Sequence, residues 1–387
     1  MGLSLGERCG SVMQSEIRSM SIECARIGGI NLSQGVCDTP VPMAVLHGAA
    51  DAIMQGSNTY SHHAGIWKLR QAISDKQRRF TGMEFDPETE IVVSAGATGA
   101  MYCAFQALLN RGDEVIVFEP FYGYHVSTLR AVEAVPVFVP LDPDGWTFSS
   151  ESLESVITPR TRAILVNTPA NPSGKVFSLD ELGLIADFAL RHDLFVFTDE
   201  MYEHFVYDGL THYSLATLPG MKERTITVSG LSKTFSVTGW RIGYALCDAR
   251  WAGAIGYFND LFYVCAPSPL QAGVTAGLRT LDDGYYQALS VEYGAKRDLF
   301  CKVLEEAGLR PHTPQGAYYV LAETDGLPGK TARDRAMHIL HQTGVASVPG
   351  SAFFHDQGGQ SLVRFCFAKE DHVLEAACEK LLKLRLS

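Results

Sequence analysis

The chain has 387 residues and a mass of 42.3 kDa, enough for one large core and a second domain. With 32 Lys+Arg against 43 Asp+Glu, a net charge of −11 and no basic run, it is expected to bind neither nucleic acid nor an anionic membrane. Nine cysteines, an odd number with no Cys-x-x-Cys pair, read as reduced thiols, and no apolar run reaches membrane-spanning length, so a cytoplasmic protein is expected.

The N-terminal "MGLSLGERCG" lacks the apolar stretch of a signal peptide, and Gly6 stands where a myristoylation signal has Ser or Thr. Residues 1–44 precede the first strand-like run and are expected to pack with the C-terminal part. From 90 to 248, seven β-branched runs alternate with helical patterns: "EIVVSAG" (90–96), "DEVIVFEP" (113–120), "AVPVFVPL" (134–141), "TRAILVNTP" (161–169), "LFVFTDE" (194–200), "TITVSG" (225–230) and "RIGYALCD" (241–248). Runs that are apolar on both faces and separated by helices predict a largely parallel sheet covered on both sides. In "SLDELGLIADFALRH", Ser178 and Glu181 have capping-box spacing, and Leu182, Ile185 and Ala189 share one face. Residues 249–280 read as long helices, and 281–387 shift to an α+β pattern ending in the amphipathic "EDHVLEAACEKLLKL". The expected architecture is α/β: a large domain over 45–280, and a smaller α+β domain built from 1–44 and 281–387.

In open α/β sheets, ligands sit beyond the carboxyl ends of the strands. Those ends carry "SAGATGA", "EPFYGY", "NTPANPSG", "TDEMY" and "SGLSK", which offer Thr98, Tyr122, Asn171, Asp199, Tyr202, Ser229, Ser232 and Lys233. The chain has no Gly-x-Gly, no Gly-x-x-x-x-Gly-Lys, no His-Glu-x-x-His and no Gly-x-Ser-x-Gly, and no metal is expected. A phosphate fits "GAT" at a helix N-terminus, with Arg241 and the Ser229 and Ser232 hydroxyls completing a cup. A lysine near such a cup, with an aspartate and a tyrosine on neighbouring strands, suits pyridoxal phosphate. That cofactor takes a lysine for its Schiff base and an acid to keep its ring nitrogen protonated.

The stretch "SGLSKTFSVTGWRIGY" resembles the cofactor-lysine signature of the class I/II aminotransferases, the fold-type I pyridoxal-phosphate enzymes. "INLSQGVCDTP", "YSHHAGIWKLRQAI", "NTPANPSGKVF", "FTDEMYEHFVYDG", "PQGAYYVL", "VPGSAFF" and "SLVRFCFA" are similar to other segments of that family, in order from about residue 17 to the end. The resemblance implies that Lys233 carries the cofactor and shuttles the proton, that Asp199 pairs with the pyridinium nitrogen, and that Asn171 and Tyr202 bond the phenolic oxygen. It further implies that Tyr122 stacks on the ring. Thr98, the Ala97 amide, Ser229, Ser232 and Arg241 would hold the phosphate, joined by Tyr60 of the second copy in a homodimer. Arg364 would clamp the substrate carboxylate, with Gly35 as a backbone donor and Asn171 beside it.

The implied reaction is ping-pong transfer of an amino group from an L-amino acid to a 2-oxo acid, with 2-oxoglutarate the expected acceptor. A carbon–sulfur β-lyase on the same residues is the alternative. A cofactor-retaining transcriptional regulator needs an appended basic domain, for which no room is expected. The sequence departs from the family at Gly230, three residues before the lysine, and at Cys37 in the N-terminal loop. Taken singly, Asn171 also reads as a turn former and Tyr60 as an interface tyrosine. His62 and His63 read as loop residues, and the pairs Tyr318–Tyr319 and Phe353–Phe354 as core, with one member of each a candidate to face the pocket. Tyr122, Tyr202 and Phe353 lean the pocket toward apolar or aromatic donors, and no arginine is assigned to a substrate's distal carboxylate.

Overall fold

A computed structural model describes residues 3–10 and 15–384; the ends of the expected small domain, and residues 11–14 within it, lie outside the described residues. After the short strand β1 (Ile30–Asn31), seven strands build the large sheet: β2 (Ile91–Ala95), β3 (Glu114–Glu119), β4 (Val135–Pro140), β5 (Thr161–Asn167), β6 (Phe195–Asp199), β7 (Thr225–Gly230) and β8 (Ile242–Leu246). They are the seven runs read from the sequence, in the spatial order β2-β8-β7-β6-β5-β3-β4. Five strands from β4 to β7 run parallel, and β8 runs antiparallel to both β7 and β2. Ile116, Val117, Ile164, Leu165, Val196 and Phe197 are all buried, as strands covered on both faces require.

The one antiparallel strand places the start of β8 at the carboxyl edge of its neighbours. Ala95, the last residue of β2, pairs with Ile242, and Gly230, the last of β7, pairs with Gly243. Arg241 thus enters the edge from the opposite direction, in a left-handed conformation (φ 58°, ψ 51°). β5 stops at Asn167 because the next turn takes over its hydrogen bonds. The Asn167 amide donates to the Asp199 carbonyl at 3.0 Å, and its oxygen accepts the Asn171 N–H at 2.8 Å.

The helix Leu179–Arg191 has the capping box expected from Ser178 and Glu181, and Leu182, Ile185 and Ala189 are buried. The helical stretch after β8 is two helices, Ala249–Tyr263 and Ser268–Thr280, separated where Val264 turns to φ 61° before Pro267. Gly48 and Gly273 let the helix Met43–Met54 lie close against the second of them. A Cβ on Gly48 would meet Ala276 at 2.6 Å, and one on Gly273 would meet Ala49 at 2.8 Å.

The long helix Asp283–Glu306 leads into β9 (Arg310–His312), β10 (Tyr319–Glu323), β11 (Val345–Ala346), β12 (Val348–Pro349) and β13 (Leu362–Cys366). Four of these form an antiparallel sheet in the order β12-β13-β10-β9. β1 pairs with β11, and Met20, Cys24 and Leu32 share a core with Phe300, Leu304, Val320, Phe365, Leu374 and Leu381. Met20, Cys24, Ile30, Asn31 and Leu32 therefore pack with the C-terminal part.

Beneath the edge lies a buried ion pair, Lys76–Glu203 at 2.5 Å, with both side chains at most 5% exposed. Tyr244 accepts from Lys76 at 3.1 Å, and Ser229 donates to Glu203 at 2.8 Å. Burial pushes the Glu203 carboxyl up, but Lys76 beside it outweighs this and holds it below the usual carboxylate range; Lys76 is raised in turn. A depressed carboxylate contributes stability above its unfolded-state range and loses it as acid protonates it, whereas a raised lysine loses its share only at high pH. Removing one partner strands the other charge. Glu203→Gln is expected to lower the unfolding free energy by about 3–5 kcal/mol at pH 7 in denaturant titration, and Lys76→Met/Glu203→Leu to lose less than Glu203→Gln alone.

Candidate active site

The carboxyl edge of the large sheet and the N-terminal loop 33–36 enclose a cavity of about 550 Å³. Asp199 is the last residue of β6, and Asn171 lies in the turn after β5. Tyr122 caps the helix Gly123–Ala131, Lys233 follows β7, and Arg364 is the middle residue of β13. All five line the cavity, together with Gly35, Ala97, Thr98, Tyr202, Ser232 and Arg241. Eleven residues that the sequence scatters over some 330 positions are thus brought to one volume.

The Lys233 amine donates to the Gly35 carbonyl at 2.7 Å and lies 5.6 Å from the Tyr318 ring centre. Burial pulls its pKa below the usual lysine range; the Arg241 and Arg364 charges act in the same sense and the Cys37 and Cys366 thiols oppose them. Asp199 is held by His125 Nε2 at 2.8 Å and by the Met201 N–H at 3.2 Å. The Tyr202 and Tyr319 hydroxyls lie 2.9 Å apart, and burial drives the Tyr202 hydroxyl well above the usual phenol range. Gly35 is required by close approach: a Cβ there would come within 1.8 Å of the Tyr319 hydroxyl.

Arg364 is 1% exposed. It donates to Asn171 Oδ1 at 2.8 Å and to the Ser33 carbonyl at 2.6 Å, between the rings of Tyr319 (4.3 Å) and Phe353 (4.8 Å). Its Nε is buried with no partner among the described residues, and no carboxylate is paired with it. A buried guanidinium satisfied only by neutral acceptors and aromatic faces fits an incoming carboxylate.

At the other end, the helix Gly96–Leu108 presents its first turn to Arg241. Gly96 has φ +77°, and a Cβ on it would meet Arg241 Nη2 at 2.3 Å; a Cβ on Gly243 would meet the Ala97 nitrogen at 2.2 Å. Two glycines thus let free N–H groups and a guanidinium share one spot. Ser232 Oγ is buried with no partner among the described residues, and the Thr98 side chain is exposed. A helix N-terminus, a guanidinium and an unused hydroxyl suit a phosphate dianion. The residues present therefore fit pyridoxal phosphate.

One sequence assignment needs correction. Ser229 is absent from the cavity lining: it lies within β7, opposite Tyr244, and its hydroxyl is committed to Glu203. Alternation along the strand turns it into the core, whereas Ser232 lies beyond the strand end. Tyr60 is 82% exposed and does not line the cavity of its own chain. His62 and His63 lie in a loop with their rings 4.2 Å apart, and Cys37 is buried.

Sequence reasoning missed His125, which backs Asp199; of the Tyr318–Tyr319 pair, the member that faces the cavity is Tyr319. His125 stands three residues after Tyr122 on the first turn of the same helix, so helical spacing was the available signal. Glu119 was missed as well. It ends β3 and accepts from His355 Nδ1 at 2.8 Å, while the Phe121 N–H donates to the Phe353 carbonyl at 2.8 Å. These contacts hold the segment that carries Phe353 against the large sheet.

The sequence model of the family described as aminotransferase class I and II matches residues 27–381. The probable N-succinyldiaminopimelate aminotransferase of Mycobacterium tuberculosis is 38% identical over 94% of both chains. Kynurenine–oxoglutarate transaminase 3 of Mus musculus is 36% identical over 90% of this chain and 83% of that one. The solved structure of the N-succinyldiaminopimelate aminotransferase from Mycobacterium tuberculosis superposes with a TM-score of 0.95 at 37% identity, covering 99% of this chain and 100% of that one. The β-lyase alternative finds no support in these relatives, which carry the names of transaminases. With a matched span that takes in every cavity residue from Gly35 to Arg364, the chain belongs to the class I and II aminotransferases and is a pyridoxal-phosphate enzyme.

Proposed function

We propose that the cavity transfers an amino group from an L-amino acid to a 2-oxo acid with Lys233 as both the cofactor anchor and the group that moves the proton. The observation that supports it is the meeting of the Lys233 amine, the Asp199 carboxylate and the Arg364 guanidinium in one cavity. Pyridoxal phosphate, when bound, supplies an electron sink for the bond broken at the amino acid's α-carbon. Asp199 would face the ring nitrogen, and His125 holds the carboxylate that does so. Asn171 and Tyr202 would donate to the phenolic oxygen, and Tyr122 would cover the ring. The Gly96–Thr98 turn, Ser232 and Arg241 would hold the phosphate. Arg364 would orient the substrate by its α-carboxylate, so that the α-proton lies toward the lysine amine. A lysine amine whose pKa is lowered by burial carries less of its charge at neutral pH, as a proton acceptor must.

The acceptor is read as 2-oxoglutarate, the co-substrate that the name of the mouse relative carries. The active form is read as a homodimer in the cytoplasm, with Tyr60 completing the partner's phosphate site. Support comes from Tyr60, Tyr257 and Leu261, exposed at 82%, 66% and 63%. The division into a large domain over 45–280 and a small domain from both ends is retained as part of this reading.

Protein loaded with pyridoxal phosphate is expected to show a yellow chromophore that borohydride fixes to the chain. An L-amino acid should bleach it and a 2-oxo acid restore it. Lys233→Ala should lose borohydride fixation and slow single-turnover bleaching by about 10²–10⁴-fold; unchanged fixation or turnover refutes the assignment. The two serines separate cleanly. Ser232→Ala should weaken equilibrium binding of the cofactor by about tenfold, whereas Ser229→Ala should lower the thermal midpoint while leaving cofactor affinity near wild type.

A further inference from the structure

Tyr202 is asked to donate to the cofactor's phenolic oxygen, yet its hydroxyl also meets a second hydroxyl. Tyr319, the first residue of β10, lines the same cavity, and the two phenol oxygens lie 2.9 Å apart. Both side chains are buried. A phenol has one proton to donate. If Tyr202 gives its proton to Tyr319, it has none for the cofactor. If Tyr319 gives its own, the Tyr202 proton is left free for another acceptor. The direction of this single bond decides whether Tyr202 can serve the cofactor at all.

The surroundings of the pair set that direction. The Arg364 guanidinium lies over the Tyr319 ring, 4.3 Å from its centre. Burial raises both hydroxyls above the usual phenol range, but the Arg364 charge offsets part of the rise at Tyr319, whereas Asp199 adds to it at Tyr202. The more acidic hydroxyl is the better donor, and that is Tyr319. It has little room to turn elsewhere, because Gly35 stands so close that even a Cβ would come within 1.8 Å of its oxygen. Among the described residues, Tyr202 is the one hydrogen-bond partner of the Tyr319 hydroxyl. Asn171, the other group read as a donor to the phenolic oxygen, is oriented by the same arginine. A guanidinium only donates, so the 2.8 Å bond from Arg364 to Asn171 Oδ1 turns the amide nitrogen of Asn171 away from it.

We propose that Tyr319 is a positioning residue whose hydroxyl donates to Tyr202, so that the Tyr202 proton is aimed into the cavity at the phenolic oxygen of the bound cofactor. This rests on the pyridoxal-phosphate reading of the same cavity and goes one residue beyond it. Arg364 then acts on both donors, on Asn171 directly and on Tyr202 through the ring of Tyr319.

The test follows the colour of the holoenzyme against pH. Hydrogen bonds to the phenolic oxygen compete with the proton it shares with the Schiff-base nitrogen, so they lower the pH at which that proton leaves. Tyr319→Phe keeps the ring beneath Arg364 and removes only the hydroxyl. It is expected to raise the colour midpoint by about half to one pH unit, the worth of one neutral hydrogen bond. Tyr202→Phe should raise the midpoint at least as far. Adding Tyr319→Phe to Tyr202→Phe should move it no further, because the second hydroxyl acts only through the first. A purely structural role for Tyr319 would lower the thermal midpoint and leave the colour midpoint in place. The proposal is overturned by a Tyr319→Phe midpoint at or below that of the wild type, by shifts that add in the double variant, or by a Tyr202→Phe midpoint like the wild type's. Failure of the pyridoxal-phosphate reading would look different: the loaded wild-type protein would show no chromophore that borohydride fixes.

Discussion

Arg364 is the point on which the two sheets and the N-terminal segment converge. It sits on β13 of the small sheet, donates to Asn171 in the turn after β5 of the large one, and donates to Ser33 at the head of the loop carrying Gly35. Burying a guanidinium without a carboxylate partner is costly, and two neutral acceptors and two aromatic faces offset only part of that cost. On the proposed reading, an incoming carboxylate would relieve the remaining deficit. The same residue ties three parts of the chain together. Asn171 is drawn into both tasks: its backbone closes the turn on Asn167, and its side chain steadies Arg364.

The opposite end of the cavity obeys a steric rule in place of an electrostatic one. Because β8 runs against its neighbours, its first residues meet the last residues of β2 and β7. That crossing brings Arg241 onto the N-terminus of the helix Gly96–Leu108, where there is no space for a Cβ at position 96 or 243. Backbone donors at such a helix end attract anions without side-chain charge, and the guanidinium adds its own. On the proposed reading, a phosphate there would be held by backbone that cannot shift without disturbing the sheet, on the same edge as Asp199 and Lys233.

The fold was readable from the chain because burial on both faces writes itself as continuous β-branched runs, and all seven strands appear where those runs lie. The edge residues were readable for a related reason: strands end in turns, and turn residues in a parallel sheet face one side. The misreadings came where one-dimensional spacing cannot give direction. Ser229 and Ser232 differ by three positions, but one is inside β7 and bonded to Glu203 while the other lies past its end. Of the adjacent Tyr318 and Tyr319, the hydroxyl of Tyr319 meets Tyr202, and adjacency in the sequence could not say which of the two would. His125 and Glu119 act through partners more than 70 residues away, and no local pattern encodes that.

Charge distribution links these local facts. Four cations and one carboxylate line the cavity of a chain that carries a net −11, so the chain's negative balance is reversed there. Low dielectric strengthens that contrast, and the guanidinium groups of Arg241 and Arg364 help burial to pull the Lys233 amine toward its neutral form. On the proposed reading, a phosphate at the deep end and a carboxylate on Arg364 would each offset part of that push on Lys233. Lys76 and Glu203, neutralising one another directly below, add no net charge to this balance and leave it to the cavity's own residues.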